Sequence, residues 1–219
     1  MIFVIPLWAD LLAVGIGALQ GALFAAGFRD KRLDLLGVAL IGIATGLGGG
    51  FLRDILLGEL PAALQSNWYV PVAILAALLG MLLERVFRRL GVLITVLDAV
   101  TIGLFGAIGT TKALSFGVPA VPAVFLGALS AVGGSILRDL LLTMPIALMQ
   151  VGSLYAIAAV AGSTALVLLV AAGVNVTIAA LVCVLVTFGV RILAVLLHWS
   201  LPEQRRIEWR PRWRSSRDR

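Results

Sequence analysis

Apolar residues fall along this chain in seven blocks, separated by short polar, charged or Gly/Pro interruptions. A transmembrane helix needs ~20 apolar residues. The blocks predict such helices over Ile5–Phe28, Leu33–Leu57, Tyr69–Phe87, Val92–Thr111, Val118–Leu142, Gln150–Ala172 and Val174–Leu197. The breaks are Arg29–Asp34, Pro61–Asn67, Arg85 with Arg88 and Arg89, Gly117 with Pro119, Met144–Pro145, and Gly173 with Asn175. Trp8, Trp68, Tyr69 and Trp199 fall at predicted span ends, where amphipathic rings settle at a membrane interface.

Two of the apolar blocks carry the same polar insertion. Gly48, Gly49, Gly50, Phe51, Leu52, Arg53 and Asp54 recur 85 residues on as Gly133, Gly134, Ser135, Ile136, Leu137, Arg138 and Asp139. From Gly42–Leu57 to Gly127–Leu142 the register holds, with eight of sixteen positions identical. Asp10, Gly15 and Gly21 align with Asp98, Gly103 and Gly109 at an offset of 88. The motifs lie in the second and fifth spans, and an odd number of spans reverses the chain. The pattern therefore predicts an all-α membrane protein built as an inverted 3+3 repeat with a seventh helix left over. Residues 1–89 form the first three-helix repeat, 90–172 the second and 173–200 the last helix, with 201–219 a basic tail expected to be disordered.

Composition agrees with this pattern. The chain is 61% hydrophobic and 13% charged over 219 residues, with a mean hydropathy of +1.11. A soluble domain could not keep so apolar a surface wet. Met1–Trp8 lacks the basic start of a cleavable signal. Cys183 stands alone in an apolar run and reads as a small packing residue.

Charge sets an orientation. Basic residues follow the first span (Arg29, Lys31, Arg32), the third (Arg85, Arg88, Arg89) and the seventh, after which the tail holds seven arginines. Those ends share one side, which the positive-inside rule makes cytoplasmic, with the N-terminus outside. Lys112 is an exception on the outer side. The tail, with Trp209 and Trp213 interleaved, is expected to meet anionic lipid rather than nucleic acid.

The glycine triplets are expected to break the second and fifth helices, with close packing as the other reading. They allow a kink or unwound turn whose free backbone groups face a cavity, or they let helices pack closely. Arg53, Asp54, Arg138 and Asp139 are costly in hydrocarbon unless partnered. Adjacent residues on a helix point about 100° apart, so crossed pairing between the motifs is open, as a structural clamp or as the wall of a water-filled path. Asp10 and Asp98 add a carboxylate per half, to attract cations or to accept hydrogen bonds from the arginines. Thr45 and Ser130 place hydroxyls one turn before each triplet. No enzyme reading survives: His198 is the sole histidine, and no cluster offers metal ligands or a nucleophile with its base.

At these residues the chain resembles the bacterial branch of the trimeric intracellular cation channels (TRIC), a branch also labelled a glycine-transporter domain. GGGFLRD, GGSILRD, Asp98-Ala99 and the 3+3+1 layout carry the resemblance, which covers the chain to about Leu197. It implies a homotrimer in a bacterial inner membrane, with an hourglass pore in each subunit, permeable to potassium and without a cofactor. It implies that the first two helices of each half line that pore, kinked at Gly48, Gly49, Gly50, Gly133 and Gly134; Ser135 departs from a third glycine. The phosphoinositide motif of the animal branch is absent, so that regulation does not transfer. The expected function is a passive monovalent-cation channel, with Asp10 and Asp98 concentrating cations and Arg53, Arg138 and Lys112 shaping the barrier. The alternative is a secondary transporter of a small solute such as a neutral amino acid.

Overall fold

The computed structural model describes residues 6–27, 33–87, 91–149 and 154–199, with the side chains of 85–87, 91 and 93 set aside. The basic clusters that set the expected orientation (Arg29 to Arg32, Arg85 to Arg89 and the tail) lie outside the described side chains. Among the described residues there are eight α-helices. These are α1 Leu7–Gly27, α2 Leu35–Leu56, α3 Ala62–Gln65, α4 Tyr69–Phe87, α5 Gly91–Ser115, α6 Ala120–Leu141, α7 Tyr155–Ala171 and α8 Val176–Leu196, with one turn of 3₁₀ helix at Ala147–Met149. Five of them, α1, α2, α5, α6 and α8, are long and apolar enough to cross a membrane. The apolar stretch of α4 over Tyr69–Glu84, and α7, are shorter.

Helix ends follow local chemistry. Asp34 caps α2 by accepting a hydrogen bond from the Gly37 N–H at 2.7 Å, and Asn175 caps α8 through the Thr177 N–H at 2.8 Å, each satisfying an orphan donor. After α2 the chain turns at Gly58, with φ +73°, and at the equivalent position after α6 at Thr143, with φ +53°. α5 continues four residues past the expected Thr111, so Lys112 lies in its last turn rather than in a loop.

Helices α1, α2 and α4 pack as one group and α5 to α8 as another, and α2 against α6, with α1 against α5, joins them. Much of the buried hydrophobic surface is alanine (Ala13, Ala18, Ala22, Ala73, Ala77, Ala113, Ala123 and Ala158 are fully buried). Small side chains let these helices lie close, which in lipid is the main source of helix–helix attraction. Large apolar residues point outward instead, among them Leu75, Leu82, Val121, Phe125, Leu181 and Leu185.

The expected breaks at the glycine motifs are not there. Helix α2 runs as continuous α-helix through Gly48–Gly50, and α6 through Gly133–Ser135. The reason is contact. A methyl group on Gly49 would lie 2.0 Å from the Ser130 carbonyl oxygen, and one on Gly134 would lie 2.0 Å from the Thr45 carbonyl oxygen. Likewise Gly48 faces the Leu137 side chain and Gly133 faces that of Leu52. Every pair maps onto its counterpart at the 85-residue offset with the helices exchanged. Rising numbers on α2 meet falling numbers on α6, so the two cross antiparallel. The glycines are contact points between backbones, the second of the two readings given above.

This geometry separates the glycines by their tolerance. Gly49→Ala and Gly134→Ala push a methyl into a carbonyl and should destabilise by more than ~3 kcal/mol, as strong overpacking does. Gly50, whose nearest neighbour is Arg53 Nη2 at 3.7 Å, should accept alanine and gain up to ~1 kcal/mol of helix stability. Thermal unfolding in detergent checks both, and equal losses at Gly49 and Gly50 would contradict the assignment.

Candidate functional site

The Arg–Asp pairs at the ends of α2 and α6 are fully buried: Arg53 1%, Asp54 0%, Arg138 4% and Asp139 2% exposed. Crossed pairing between the motifs does not occur. Arg53 Nε donates to Asp54 Oδ1 at 2.7 Å and Nη2 to Oδ2 at 3.2 Å. Arg138 Nε and Nη2 both donate to Asp139 Oδ1, at 2.9 and 2.8 Å. The antiparallel crossing at the glycines sends the two motif ends away from each other, so each guanidinium folds onto the adjacent carboxylate.

Each aspartate also pins the segment that follows. Asp54 Oδ2 accepts from the Ala62 N–H at 2.8 Å, and Asp139 Oδ2 from the Ala147 N–H at 2.9 Å. The spacing is eight residues in both cases, so α3 and the 3₁₀ turn are tethered alike. One position then breaks the likeness. Lys112 Nζ reaches Asp54 Oδ1 at 2.8 Å, whereas the residue equivalent to Lys112 in α1 is Phe24, whose ring lies 4.1 Å from Arg138 Cζ. A cation meets the carboxylate of the first pair; a ring face meets the guanidinium of the second, a favourable contact of ~0.5–2 kcal/mol.

Asp10 and Asp98 do not accept from the motif arginines. The Tyr69 hydroxyl donates to Asp10 Oδ2 at 2.7 Å, and the Tyr155 hydroxyl donates to Asp98 Oδ1. Tyr69 was expected at the interface; it is buried, because its hydroxyl serves this carboxylate. Asp98 has two further partners, Gln20 Nε2 at 2.7 Å and Arg191 Nη2 at 3.4 Å. The Arg191 guanidinium also stacks over the Tyr155 ring at 4.5 Å. Thus α8 brings a cation to the second half. Tyr69, Tyr155, Gln20 and Arg191 were all missed in the sequence. The tyrosines recur near the start of the third helix of each half, a signal that was available.

Two small cavities lie inside the bundle, each with about 10 Å³ of free volume, room for about one water. The first is lined by Asp10, Gly50, Arg53, Asp54, Ala62 and Tyr69. The second is lined by Gln20, Thr45, Asp98, Thr101, Ser135 and Tyr155. Phe105, buried at 3%, lines both. Thr45 donates its proton to the Ile41 carbonyl at 2.7 Å, while Ser130 is buried with no hydrogen-bond partner for its hydroxyl. Among the described residues, no group of His, Cys, Asp and Glu could hold a metal ion.

A family model described as Glycine transporter matches the chain over residues 7–85 and 95–171. A UPF0126 membrane protein of Deinococcus radiodurans is 38% identical over 74% of this chain and 75% of its own length. The UPF0126 inner membrane protein YadS of Escherichia coli K12 is 31% identical over 89% of this chain and 94% of its own. Among solved structures, one from a study of conductance through TRIC cation channels superposes with a TM-score of 0.82 and 32% identity, covering 92% of this chain and 98% of its own. A TRIC orthologue from Rhodobacter sphaeroides gives 0.80 and 30%, covering 88% and 97%.

The buried pairs predict a clear double-mutant result. Asp139→Leu alone strands a buried guanidinium and removes the carboxylate that accepts from the Ala147 N–H, and should cost about 3–5 kcal/mol of stability. Adding Arg138→Met removes the stranded charge and should recover at least ~1 kcal/mol of that loss. Chemical denaturation of the two variants tests the pairing, and purely additive losses would contradict it.

Proposed function

We propose that this chain, which belongs to the bacterial branch of the TRIC family, is a passive monovalent-cation channel, permeable to potassium, with one pathway in each subunit of a homotrimer. The observation that carries this reading is the pair of small cavities inside one chain, one bordered by Asp10 and Asp54 and the other by Asp98, with Phe105 lining both. A pore shared by three chains would need its polar groups on an outer face of each bundle. Here the buried carboxylates Asp10, Asp54, Asp98 and Asp139 all lie inside one. Similarity to structures of cation channels supports the same reading.

In this reading seven helices cross a bacterial inner membrane as an inverted 3+3 repeat plus α8, with the N-terminus outside and the basic tail on the cytoplasmic lipid surface. The two-segment match of the family model, over 7–85 and 95–171, supports the repeat. The protein performs no chemistry on its cargo and carries no cofactor. The first cavity is the outer vestibule and the second the cytoplasmic one. Phe105 is the constriction between them, an apolar gate of the kind that closes by excluding water. The Arg–Asp pairs act as clamps: they hold the helix ends and, through Ala62 and Ala147, the segments that follow. Asp10 and Asp98 supply negative potential to the two vestibules.

A second reading is a secondary transporter of a small neutral amino acid. The description of the matched family model favours it, as does the presence of two cavities separated by a single side chain.

Recording from purified protein in planar bilayers separates the two. A channel gives unitary potassium current steps, and Phe105→Ala should raise their amplitude severalfold by opening the constriction. Saturable amino-acid exchange without steps, or an unchanged amplitude in Phe105→Ala, would argue for the carrier or for a different gate.

A further inference from the structure

The second cavity has an unusual chemistry. A hydroxyl has one proton and two lone pairs, and each hydroxyl that lines this cavity has its proton committed elsewhere. Thr45 donates to the Ile41 carbonyl at 2.7 Å, Thr101 to the Leu97 carbonyl at 2.8 Å and Ser135 to the Val132 carbonyl at 2.8 Å. These are bonds back to the preceding turn of the same helix, the usual resort of Ser and Thr within helices. Tyr155 donates to Asp98. Gln20 directs its amide nitrogen to Asp98 at 2.7 Å, which leaves its amide oxygen as an acceptor. Apart from the second Gln20 N–H, the polar lining of the cavity is therefore oxygen lone pairs around one carboxylate.

We propose that Gln20, Thr45, Asp98, Thr101, Ser135 and Tyr155 form a coordination site for one dehydrated monovalent cation of potassium size. The inference rests on the cation-channel reading and names where the ion sheds its water. Hard oxygen ligands suit an alkali cation, and replacing a hydration shell by fixed oxygens is how cation filters work. The free volume of about 10 Å³ admits one water-sized occupant. A water there could donate two hydrogen bonds but, among the lining side chains, would find only the second Gln20 N–H for its own lone pairs. A divalent ion needs more negative charge, since calcium and magnesium sites gather several carboxylates. Here the single carboxylate already faces the Arg191 guanidinium at 3.4 Å.

The first cavity provides the contrast. It is lined by Arg53, whose Nη1 is buried without a hydrogen-bond partner, so a cation there meets an unsatisfied donor. The two halves thus offer different environments at equivalent places, and the second is the one built for a cation.

Thallium(I) reports on such a site because it has the charge and nearly the size of potassium and scatters anomalously. Wild-type crystals soaked in thallium(I) nitrate should show an anomalous peak in the second cavity and none in the first. In solution, thermal unfolding of the detergent-solubilised protein should shift upward in potassium relative to N-methylglucamine at equal ionic strength, since a ligand of the native state stabilises it. Thr45→Val/Thr101→Val keeps the side-chain shape and removes two ligands. Its half-saturating potassium concentration should rise at least about tenfold, the factor one lost favourable polar contact carries. Should the double variant fail to fold in N-methylglucamine, Ser135→Ala at the partly exposed edge of the cavity gives the same readout. An unchanged potassium dependence in the variant that folds, or thallium peaks only outside this cavity, would overturn the site. Unitary currents without thallium in the cavity would sink the site and leave the channel. Thallium in the cavity without unitary currents would do the reverse.

Discussion

A methyl group at Gly49 or Gly134 has nowhere to go, and the rest of the molecule depends on that. The missing Cβ atoms let the α2 and α6 backbones touch. That contact is the most extensive of those joining α1, α2 and α4 to the group α5 to α8, with α1 against α5 next. Lipid tails are as apolar as leucine, so no hydrophobic force drives the two groups together. Close backbone approach is what remains, with dispersion contacts accumulated over short distances. The crossing fixes where everything else falls. It sends Arg53–Asp54 to one end of the contact and Arg138–Asp139 to the other.

Burying four charges at those ends is affordable only because each is paired and each carboxylate finds more than one partner. An isolated ion at the bilayer centre costs at least ~2.5–3.5 kcal/mol. A buried pair still leaves lone pairs to satisfy. Asp54 meets Arg53, Lys112 and the Ala62 N–H, and Asp139 meets Arg138 and the Ala147 N–H. The carboxylates are thus tied to segments outside their own helices, and the pairs act as joints. Asp10 and Asp98 border the cavities instead, each accepting from a tyrosine hydroxyl, and Asp98 also from Gln20 and Arg191.

Much of this was legible in the sequence. The doubled motif announced the matched contacts of α2 and α6, and the apolar blocks gave the long helices to within a few residues. The glycine triplets were misread as breaks because a run of glycines is compatible with unwinding and with close packing alike. Only the opposing carbonyls of Ser130 and Thr45 decide between them. The motif arginines could be placed in the interior, but not paired, since pairing depends on the sense and site of the crossing. Tyr69 and Tyr155 were hidden by position: an aromatic at a span end looks interfacial unless its carboxylate partner, 59 or 57 residues away, is known. Arg191 was lost in an apolar helix, and its neighbour Asp98 is 93 residues distant. Long-range partners leave no local trace in one sequence.

The places where the halves differ follow from geometry. Where two repeats meet face to face, equivalent residues near the meeting surface compete for one volume, and both cannot be large. Phe105 and its counterpart Gly17 obey this: a methyl on Gly17 would come within 3.2 Å of Phe105 Cε2. One half supplies the ring and the other the space for it. Farther from that surface, equivalent residues never meet and are free to diverge. Phe24 and Lys112 do so, each satisfying its own Arg–Asp pair by a different interaction. Two identical halves could therefore not have produced this interior. A single ring between two unlike cavities requires that the repeat be imperfect at its centre, and Gly17 against Phe105 is where that imperfection is placed.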